Sequence, residues 1–287
     1  MLPTIIDGLS LGAVYALIAL GYTMVYGIAK MLNFAHGDII MVGAYTLFTA
    51  FLFVASPGAK ALAVLLAVTV CTVLGIAVEK FAYRPLRGAS PLAVLITAIG
   101  VSYLLQGVAQ LIFGAKSQPV DIRVPGKVFG INLSTVLTLS LAAVIMVSLT
   151  AFIKFSKTGR AMIAVSEDRA ASELMGVNVN KIISVTFALG SALAAFAAVF
   201  YLIEIPSTSP TLGSMPGIKA FTAAVIGGIG SIPGAMIGGV LLGLIEKLSL
   251  ATPRLAAYTT SIEFSLLIII LLVKPTGILG KKRREKV

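Results

Sequence analysis

Residues 8–45 read GLSLGAVYALIALGYTMVYGIAKMLNFAHGDIIMVGAY, two apolar runs separated by the polar segment KMLNFAHGD at 30–38. The first run is rich in small residues, with glycines at positions 8, 12, 21 and 27. A second interrupted stretch, GIKAFTAAVIGGIGSIPGAMIGGVLLGLIE at 217–246, breaks at GSIPG. Interrupted hydrophobic segments in matching positions of two halves are typical of inverted repeats in membrane transporters. The two stretches therefore predict an inverted repeat with broken helices.

The composition is that of a membrane protein. Of 287 residues, 58% are hydrophobic and 11% are charged, whereas about 25% are charged in typical soluble domains. A membrane-spanning helix needs about 20 apolar residues. Runs of suitable length lie at 5–28, 38–55, 61–81, 91–113, 134–153, 182–203, 233–250 and 257–273. The stretch 217–230 is shorter, and it is either a short span or part of a broken helix. We predict an all-α, polytopic transmembrane helical bundle of eight or nine segments, forming one domain over 1–287.

Charge predicts the orientation, because cytoplasmic loops of membrane proteins carry an excess of lysine and arginine. Basic residues cluster at 80–87, in the loop 154–181 and in the basic tail 274–287. Placing all three groups in the cytoplasm predicts an external N-terminus and a cytoplasmic C-terminus. The net charge of +11 lies mainly in these regions, so it indicates contact with anionic membrane lipid and argues against nucleic acid as a partner.

The loop 154–181, KFSKTGRAMIAVSEDRAASELMGVNVNK, is the longest charged segment of the chain. Helix-forming residues fill 160–175, and Gly176 followed by Asn178 provides a stop signal. Such a helix lies on the membrane surface or docks into a groove of a partner through Met162, Ile163, Leu174 and Met175. Acidic residues at its centre favour docking, because anionic lipid would repel them. The loop therefore predicts a soluble partner.

The segment NFAHGD contains three candidate residues for a translocation path, Asn33, His36 and Asp38. Polar groups between apolar runs either line such a path or form an ordinary cytoplasmic turn in which a side chain caps the next helix. The predicted topology favours the turn. His36 is the only histidine, without a triad beside it, so we expect no catalytic residues and no metal ligands.

Two rows of glycines at four-residue steps mark 220–243 as a helix-packing region. The packing candidates are Gly234, Gly238, Gly239 and Gly243, because this spacing lets another backbone approach closely. Helix-breaking residues near the translocation path are Gly227, Gly228, Gly230 and Pro233. Lys219 fits an interfacial, snorkelling position. No isolated charge lies at the centre of a long run, which disfavours an ion-coupled secondary carrier.

Together these segments resemble the LivH-type membrane subunit, or permease, of branched-chain amino-acid ABC importers. The matching stretches are 8–45, EKFAYRPLRG at 79–88, TGRAMIAVSEDRAASELMGVN at 158–178, 217–246, and KPTGILG at 274–280. The resemblance covers nearly the whole chain. It implies import of leucine, isoleucine and valine across a prokaryotic cytoplasmic (inner) membrane by alternating access.

The resemblance also implies partners. This chain lacks the GxxxxGK[ST] motif that holds nucleotide phosphates, so it binds no cofactor itself, and ATP is used by separate ABC ATPase subunits. A second homologous permease and an extracytoplasmic substrate-binding protein complete the implied assembly. The implied ATPase-coupling residues are Gly159, Arg160, Glu167, Asp168, Arg169, Ala170, Ala171 and Gly176. Alternatives are a sugar-type permease of the same superfamily and an ATP-independent secondary carrier.

Overall fold

The computed structural model describes residues 1–53, 57–128 and 130–280, and the second half of the basic tail, 281–287, lies outside this part. The helices are α1 (Leu2–Ala29), α2 (His36–Phe53), α3 (Pro57–Val78), α4 (Pro91–Phe113), α5 (Leu133–Phe155), α6 (Lys157–Glu167), α7 (Arg169–Leu174), α8 (Val179–Glu204), α9 (Ser214–Gly227), α10 (Ile232–Ala251) and α11 (Thr259–Val273). The short strands are β1 (Gln118–Pro119), β2 (Lys127–Val128), β3 (Ile131–Asn132) and β4 (Ser207–Thr208). β1 pairs antiparallel with β4, and β2 pairs antiparallel with β3.

The all-α transmembrane bundle predicted from the apolar runs is confirmed. Within the described ranges, eight helical segments are long and apolar enough to cross a membrane. They fall into an inner and an outer group, since 72% of the apolar window of α1 is buried but only 17% of that of α4 and 11% of that of α11. α4 and α11 therefore lie at the periphery of the bundle, while α1, α2 and α8 form the core.

Glycines allow α1 to take the central position. α10 runs antiparallel to it, and a Cβ at Gly12 would overlap the backbone of Val240 on α10. The glycines of α10 show the same close approach, because a Cβ at Gly239 would overlap the backbone of Ala16 on α1, and one at Gly243 would overlap Gly12. The two backbones touch because side chains are missing on both facing surfaces, as small-residue packing in membranes requires.

The two ends of the bundle differ in content. The first, which we call the α6–α7 end, holds these two loop helices and the C-terminus of α1, to which Arg169 donates hydrogen bonds. The second, which we call the linker end, holds the linker 114–132 and the β1–β4 pair, where the amide of Val120 donates to the carbonyl of Pro206 at 3.0 Å. Residues 274–280 return to the α6–α7 end, where the amide of Ile278 donates to the carbonyl of Ile226.

Two helices of the bundle begin inside it. Lys30, in a left-handed conformation, ends α1 at the α6–α7 end. Residues 30–35 then turn back, so that His36 at the start of α2 packs on Gly21, roughly 12 Å from the end of α1 at 1.5 Å per residue. α9 begins beside α2, because Gly213 and Gly37 are in backbone contact. The starts of both helices at Gly37 and Gly213 are thus buried in protein, as non-helical backbone at membrane depth must be.

The contacts between helices follow an inverted repeat of α1–α3 and α8–α10. The repeat relates α1 to α8, α2 to α9 and α3 to α10. The contact of α1 with α10 therefore corresponds to the contact of α8 with α3, and the contact of α2 with α8 corresponds to that of α9 with α1. The pairing of breaks inferred from sequence was wrong in detail. The counterpart of 30–35 is 205–213, which precedes α9, whereas GSIPG forms only the turn between α9 and α10.

The short segment 217–230 belongs to a complete crossing. α9 has 14 residues and is about 21 Å long, less than the roughly 30 Å of a bilayer core. Residues 205–213 supply the remaining depth from the linker end, and Gly230 lies beside Gly27 at the α6–α7 end. Over the residues that the structure describes, the chain therefore runs nine times between the two ends of the bundle, which places residue 1 and residue 280 at opposite ends.

Gly239→Ala tests the close packing of α1 against α10. The added methyl group would overlap Ala16, and such overpacking costs about 1–3 kcal/mol. We expect a clearly lower melting temperature in detergent, followed by size-exclusion chromatography after heating. Gly107→Ala on α4 is the matched control, because nothing lies within 4 Å of its added Cβ. Equal melting of the two variants would contradict this account of the packing.

Candidate functional site

The candidate site is the place where α2 and α9 begin side by side, which we call the break junction (Gly37, Asp38, Gly213, Ser214 and Gln106). Gly37 and Gly213 are in backbone contact, so neither position has room for a side chain. The side-chain amide of Gln106 donates to Asp38 Oδ1 at 2.8 Å and to Ser214 Oγ at 3.3 Å. One amide on α4 thus bridges the first turns of both interrupted helices.

Sequence analysis identified Asp38 but missed Gln106. The available signal was a pair of amides, Gln106 and Gln110, within the apolar run 91–113, of which Gln106 lies nearer the middle. An amide in that position is costly in hydrocarbon unless it finds partners in the protein. The partners come from residues 68 and 108 positions away in sequence, so only the fold brings them together.

The segment before the junction is not a solvated turn, and that interpretation was wrong. Asn33, His36 and Asp38 are each no more than 2% exposed. The Tyr83 hydroxyl donates to Asn33 Oδ1 at 2.8 Å, and the ring of His36 packs edge-on against Tyr22 at 4.8 Å between centroids. The structure therefore places all three candidate path residues within the protein interior.

A small apolar cavity adjoins Asn33. Tyr22, Tyr26, Phe221 and Ile229 are among its lining residues, with Leu32 and Ala224. It offers about 10 Å³ to the centres of water molecules, which is room for about one water. No small solute of amino-acid size passes through this part of the bundle in the conformation described.

The second group of candidate path residues lies apart from the junction, at the α6–α7 end. Gly228 and Gly230 have φ values of 106° and 93° and form the turn from α9 to α10. Pro233 lies in the first turn of α10, where proline is tolerated, and does not kink a helix. Gly228 instead makes room for the returning chain, since Gly277 and Gly280 contact its backbone, whereas Gly227 faces the backbone of Gly234 on α10.

The four candidate packing glycines serve two different neighbours. Added Cβ atoms at Gly234 and Gly238 would overlap carbonyl oxygens of Gly227 and Ala223 on α9, while those at Gly239 and Gly243 would overlap α1. One row therefore sets the distance to the broken helix and the other the distance to the central helix.

Buried charges lie near the middle of the bundle, contrary to expectation. Lys219 is 8% exposed, and its Nζ lies 2.8 Å from Glu246 and 3.2 Å from Glu263. The Tyr15 hydroxyl donates to Glu246 at 2.8 Å. The snorkelling position of Lys219 was therefore wrong. The sequence argument against a secondary carrier fails as well, because it assumed that such charges are absent.

The sequence concealed this cluster because each charge lies near the end of its own apolar run. α9, α10 and α11 contribute one charge each, and their offsets along the bundle bring the three together. We call Lys219, Glu246 and Glu263 the charge triad. It fastens the broken helix α9 to two continuous helices.

The charged loop folds as two helices, α6 and α7, rather than the single helix expected over 160–175. Asp168 interrupts it with an extended backbone, and its Oδ1 accepts a hydrogen bond from the amide of Ala171 at 3.0 Å. Ser156 caps α6 in the same way. Gly176, with φ of 81°, follows α7, and Asn178 caps α8. The predicted stop signal at Gly176 and Asn178 matches these ends.

The loop helices present different surfaces to the bundle and to solvent. Met162 and Val165 on α6 are buried against the ends of α1 and α8, so Met162 is not a free anchor. Leu174 and Met175 are 88% and 84% exposed. Gly159 allows α6 to turn tightly against α5, since its added Cβ would overlap the backbone of Ile153.

Arg169 joins this loop to the core. Its guanidinium donates hydrogen bonds to the carbonyls of Ile28, at 3.2 Å, and Ala29 at the end of α1. Burial lowers the pKa of Arg169, with a smaller contribution from the charge of Arg87, but an arginine in a protein keeps its proton. The remaining coupling candidates lie on the same two helices, and all four are exposed: Arg160, Glu167, Ala170 and Ala171.

Lys219→Met tests the charge triad. Removing the lysine leaves two buried carboxylates without their counter-ion, which costs about 3–5 kcal/mol, and we expect a large loss of melting temperature in detergent. Adding Glu246→Gln and Glu263→Gln removes the unpaired charges and should recover most of it. Lys247→Met, which breaks the more exposed pair with Glu204, should have a smaller effect. A triple variant no more stable than Lys219→Met would refute this electrostatic explanation.

Comparisons with known proteins agree with the geometry. The family described as branched-chain amino acid transport system / permease component matches residues 4–272. The chain is 43% identical to the high-affinity branched-chain amino acid transport system permease protein BraD of Pseudomonas aeruginosa, covering 100% of this chain and 98% of that protein. It is 41% identical to the corresponding protein LivH of Escherichia coli strain K12, covering 100% and 97%.

A solved structure supports the fold alone. A metal-chelate type ABC transporter in an inward-facing conformation aligns with 95% of this chain and 87% of its own, with a TM-score of 0.54 and 16% identity.

Proposed function

Because this chain belongs to the family of permease components of branched-chain amino-acid transport systems, we propose that it is the membrane-spanning subunit of an ATP-driven importer of leucine, isoleucine and valine. The observation that carries the proposal is the 43% identity to BraD over the full length of both chains. The bundle of apolar helices and the two helices that begin inside it supply a structure suited to transport.

The α6–α7 end faces the cytoplasm in this proposal. Lys154, Lys157, Arg160 and Arg169 lie there on or beside the loop helices, together with Arg87 and Lys274. Such an excess of basic residues is typical of cytoplasmic loops. The linker end then faces the outside of a prokaryotic cytoplasmic membrane, and residue 1 lies outside.

The loop helices form the proposed docking site for a separate ABC ATPase subunit. Leu174 and Met175 offer exposed apolar anchors at the end of α7, and the exposed acidic residues Asp168 and Glu173 precede them. A short helix with apolar anchors and polar flanks suits a groove on a partner. The ATPase would supply the ATP hydrolysis for which this chain has no nucleotide-binding motif. A second homologous permease and an external substrate-binding protein complete the proposed assembly.

Arg169 connects ATPase motion to the transport path in the proposed mechanism. A displacement of α7 pulls on the carbonyls at the end of α1 through the Arg169 guanidinium. That end leads directly into the break 30–35 and so to the start of α2. Alternating access follows if this movement separates α2 from α9 at the break junction, where Gly37 and Gly213 now close the path.

The interior beside the junction suits a branched aliphatic side chain. Tyr22, Tyr26 and Phe221 line its small cavity with apolar surface, and apolar lining with few polar groups is typical of small-molecule sites. Opening of the junction would enlarge this space. The cavity is too small for a substrate in the present conformation, and in this proposal the path opens only when α2 and α9 separate.

The proposal is tested by purifying the chain from native membranes in mild detergent and reconstituting what co-purifies into liposomes. We expect an ABC ATPase and a second permease in the preparation. With the matching binding protein, radiolabelled leucine should enter only with ATP, and unlabelled isoleucine or valine should compete whereas ribose should not. Leucine uptake by this chain alone without ATP would contradict the proposal in favour of a secondary carrier.

Arg169→Gln tests the connection between the loop and α1. Losing the charged hydrogen bonds to the α1 carbonyls should decouple the two, lowering leucine uptake about tenfold, which corresponds to roughly 1.4 kcal/mol. ATPase association and ATP hydrolysis should persist. Uptake per ATP hydrolysed is the quantity to measure in the reconstituted complex.

Leu174→Ser combined with Met175→Ser provides the contrasting variant. The double variant removes the exposed anchors but leaves Arg169 in place. The ATPase should therefore be lost during purification, whereas Arg169→Gln should keep the ATPase and lose the coupling of hydrolysis to uptake. Glu173→Gln is the control on the same helix and should retain both properties. If Arg169→Gln released the ATPase as well, the residue would act in docking and not in transmission.

A further inference from the structure

A cavity at the linker end carries charges of both signs. Its volume is about 450 Å³, within the range of small-molecule sites. The cavity is open on one side and lies between the starts of α1 and α5, the ends of α8 and α10, and the linker 114–132. Two acidic residues, Asp7 and Glu204, and two basic residues, Arg123 and Lys247, line it.

Two of the four charges neutralise each other. Lys247 Nζ lies 3.0 Å from Glu204 Oε2, and Ser10 donates a hydrogen bond to the other oxygen of Glu204 at 2.9 Å. These contacts bind Glu204 to α1 and α10 and leave it little capacity for a ligand. They also fix one wall of the cavity.

The other two charges remain available. Arg123 Nε donates to the carbonyl of Ile203 at 3.1 Å, which holds the guanidinium at the cavity. Its two terminal amino groups have no acceptor within the described part of the chain, and Asp7 has neither an ion pair nor a hydrogen bond there. One unpaired cation and one unpaired anion therefore line the same cavity without contacting each other.

We propose that this cavity binds the zwitterionic head of a free amino acid, with Arg123 taking the carboxylate and Asp7 the ammonium group. The guanidinium fork matches carboxylate geometry. Ile203, Val124 and Pro125 line the cavity beside these charges and provide apolar surface for an aliphatic side chain. The inference rests on the proposed function, in which this end faces outside and meets the substrate before the closed break junction.

The test measures binding without a substrate-binding protein. The full-length chain, with the subunits that co-purify, is placed in phosphatidylglycerol nanodiscs, and the Kd of radiolabelled L-leucine is determined. Arg123→Gln and Asp7→Asn should each raise the Kd about threefold to tenfold, the effect of a partly exposed ion pair. Lys127→Gln, on the same linker outside the cavity, is the control and should leave the Kd unchanged. Arg123→Lys should recover part of the affinity.

Single-charge competitors assign each residue to one group of the ligand. In the unmodified chain, 4-methylpentanoate, which lacks the ammonium group, and 3-methylbutylamine, which lacks the carboxylate, should both compete weakly with leucine. Arg123→Gln should abolish competition by the carboxylate alone, and Asp7→Asn competition by the amine alone. Loss of overall structure would not divide the two competitors in this way.

A phospholipid headgroup such as phosphoethanolamine carries the same pair of charges, so it is used as a second probe. If phosphoethanolamine competes with leucine and the two variants leave the KM for leucine uptake unchanged, the cavity is a lipid site and the proposal is overturned. It is also overturned if ATP-driven leucine uptake occurs but leucine binding is insensitive to both variants, a result that leaves the proposed function intact. Absence of ATP-driven uptake by the unmodified complex would instead remove the proposed function.

Discussion

The structure depends on one constraint, that backbone polar groups at membrane depth must find partners inside the protein. α2 and α9 begin within the bundle, and the first amide groups of a helix have no partner within that helix. The turn before α2 provides partners for two of these groups, since the amides of His36 and Asp38 donate to the carbonyls of Asn33 and Ala35. Surrounding helices must then exclude lipid from both breaks. The central position of α1 and its close packing against α10 follow from this requirement.

The same constraint explains why polar residues concentrate around the breaks and the broken helix. Gln106 joins the first turns of α2 and α9, and the charge triad holds α9 against α10 and α11. α9, with 14 residues, buries less surface than a full span. These hydrogen bonds and ion pairs hold it in place. These contacts are few and specific, so an element held by them can adopt a second arrangement without disrupting the continuous helices.

The inverted repeat gives the molecule two equivalent breaks with unequal surroundings. The break 30–35 lies next to the loop helices and receives Arg169 at the end of α1, whereas the break 205–213 approaches from the linker end beside the β1–β4 pair. One half of the repeat is thus connected to the proposed ATPase side and the other to the proposed outer side. The two meet at Gly37 and Gly213, where the proposed transport path is closed.

By itself, the sequence determined the class of fold, the eight long spans and the stop signal after the loop helices at Gly176 and Asn178. Hydrophobic run length, glycine and capping residues are local signals, and local signals survive without knowledge of the fold. Only the tertiary structure decided the partners of Gln106, the burial of Asn33 and His36, and the pairing of Lys219 with Glu246 and Glu263. Each of these depends on the relative depth of helices far apart in sequence, which no single apolar run records. For the same reason, the sequence suggested separate interfacial charges where the structure has the buried charge triad. It also suggested GSIPG as the counterpart of the break 30–35, whereas the counterpart is 205–213.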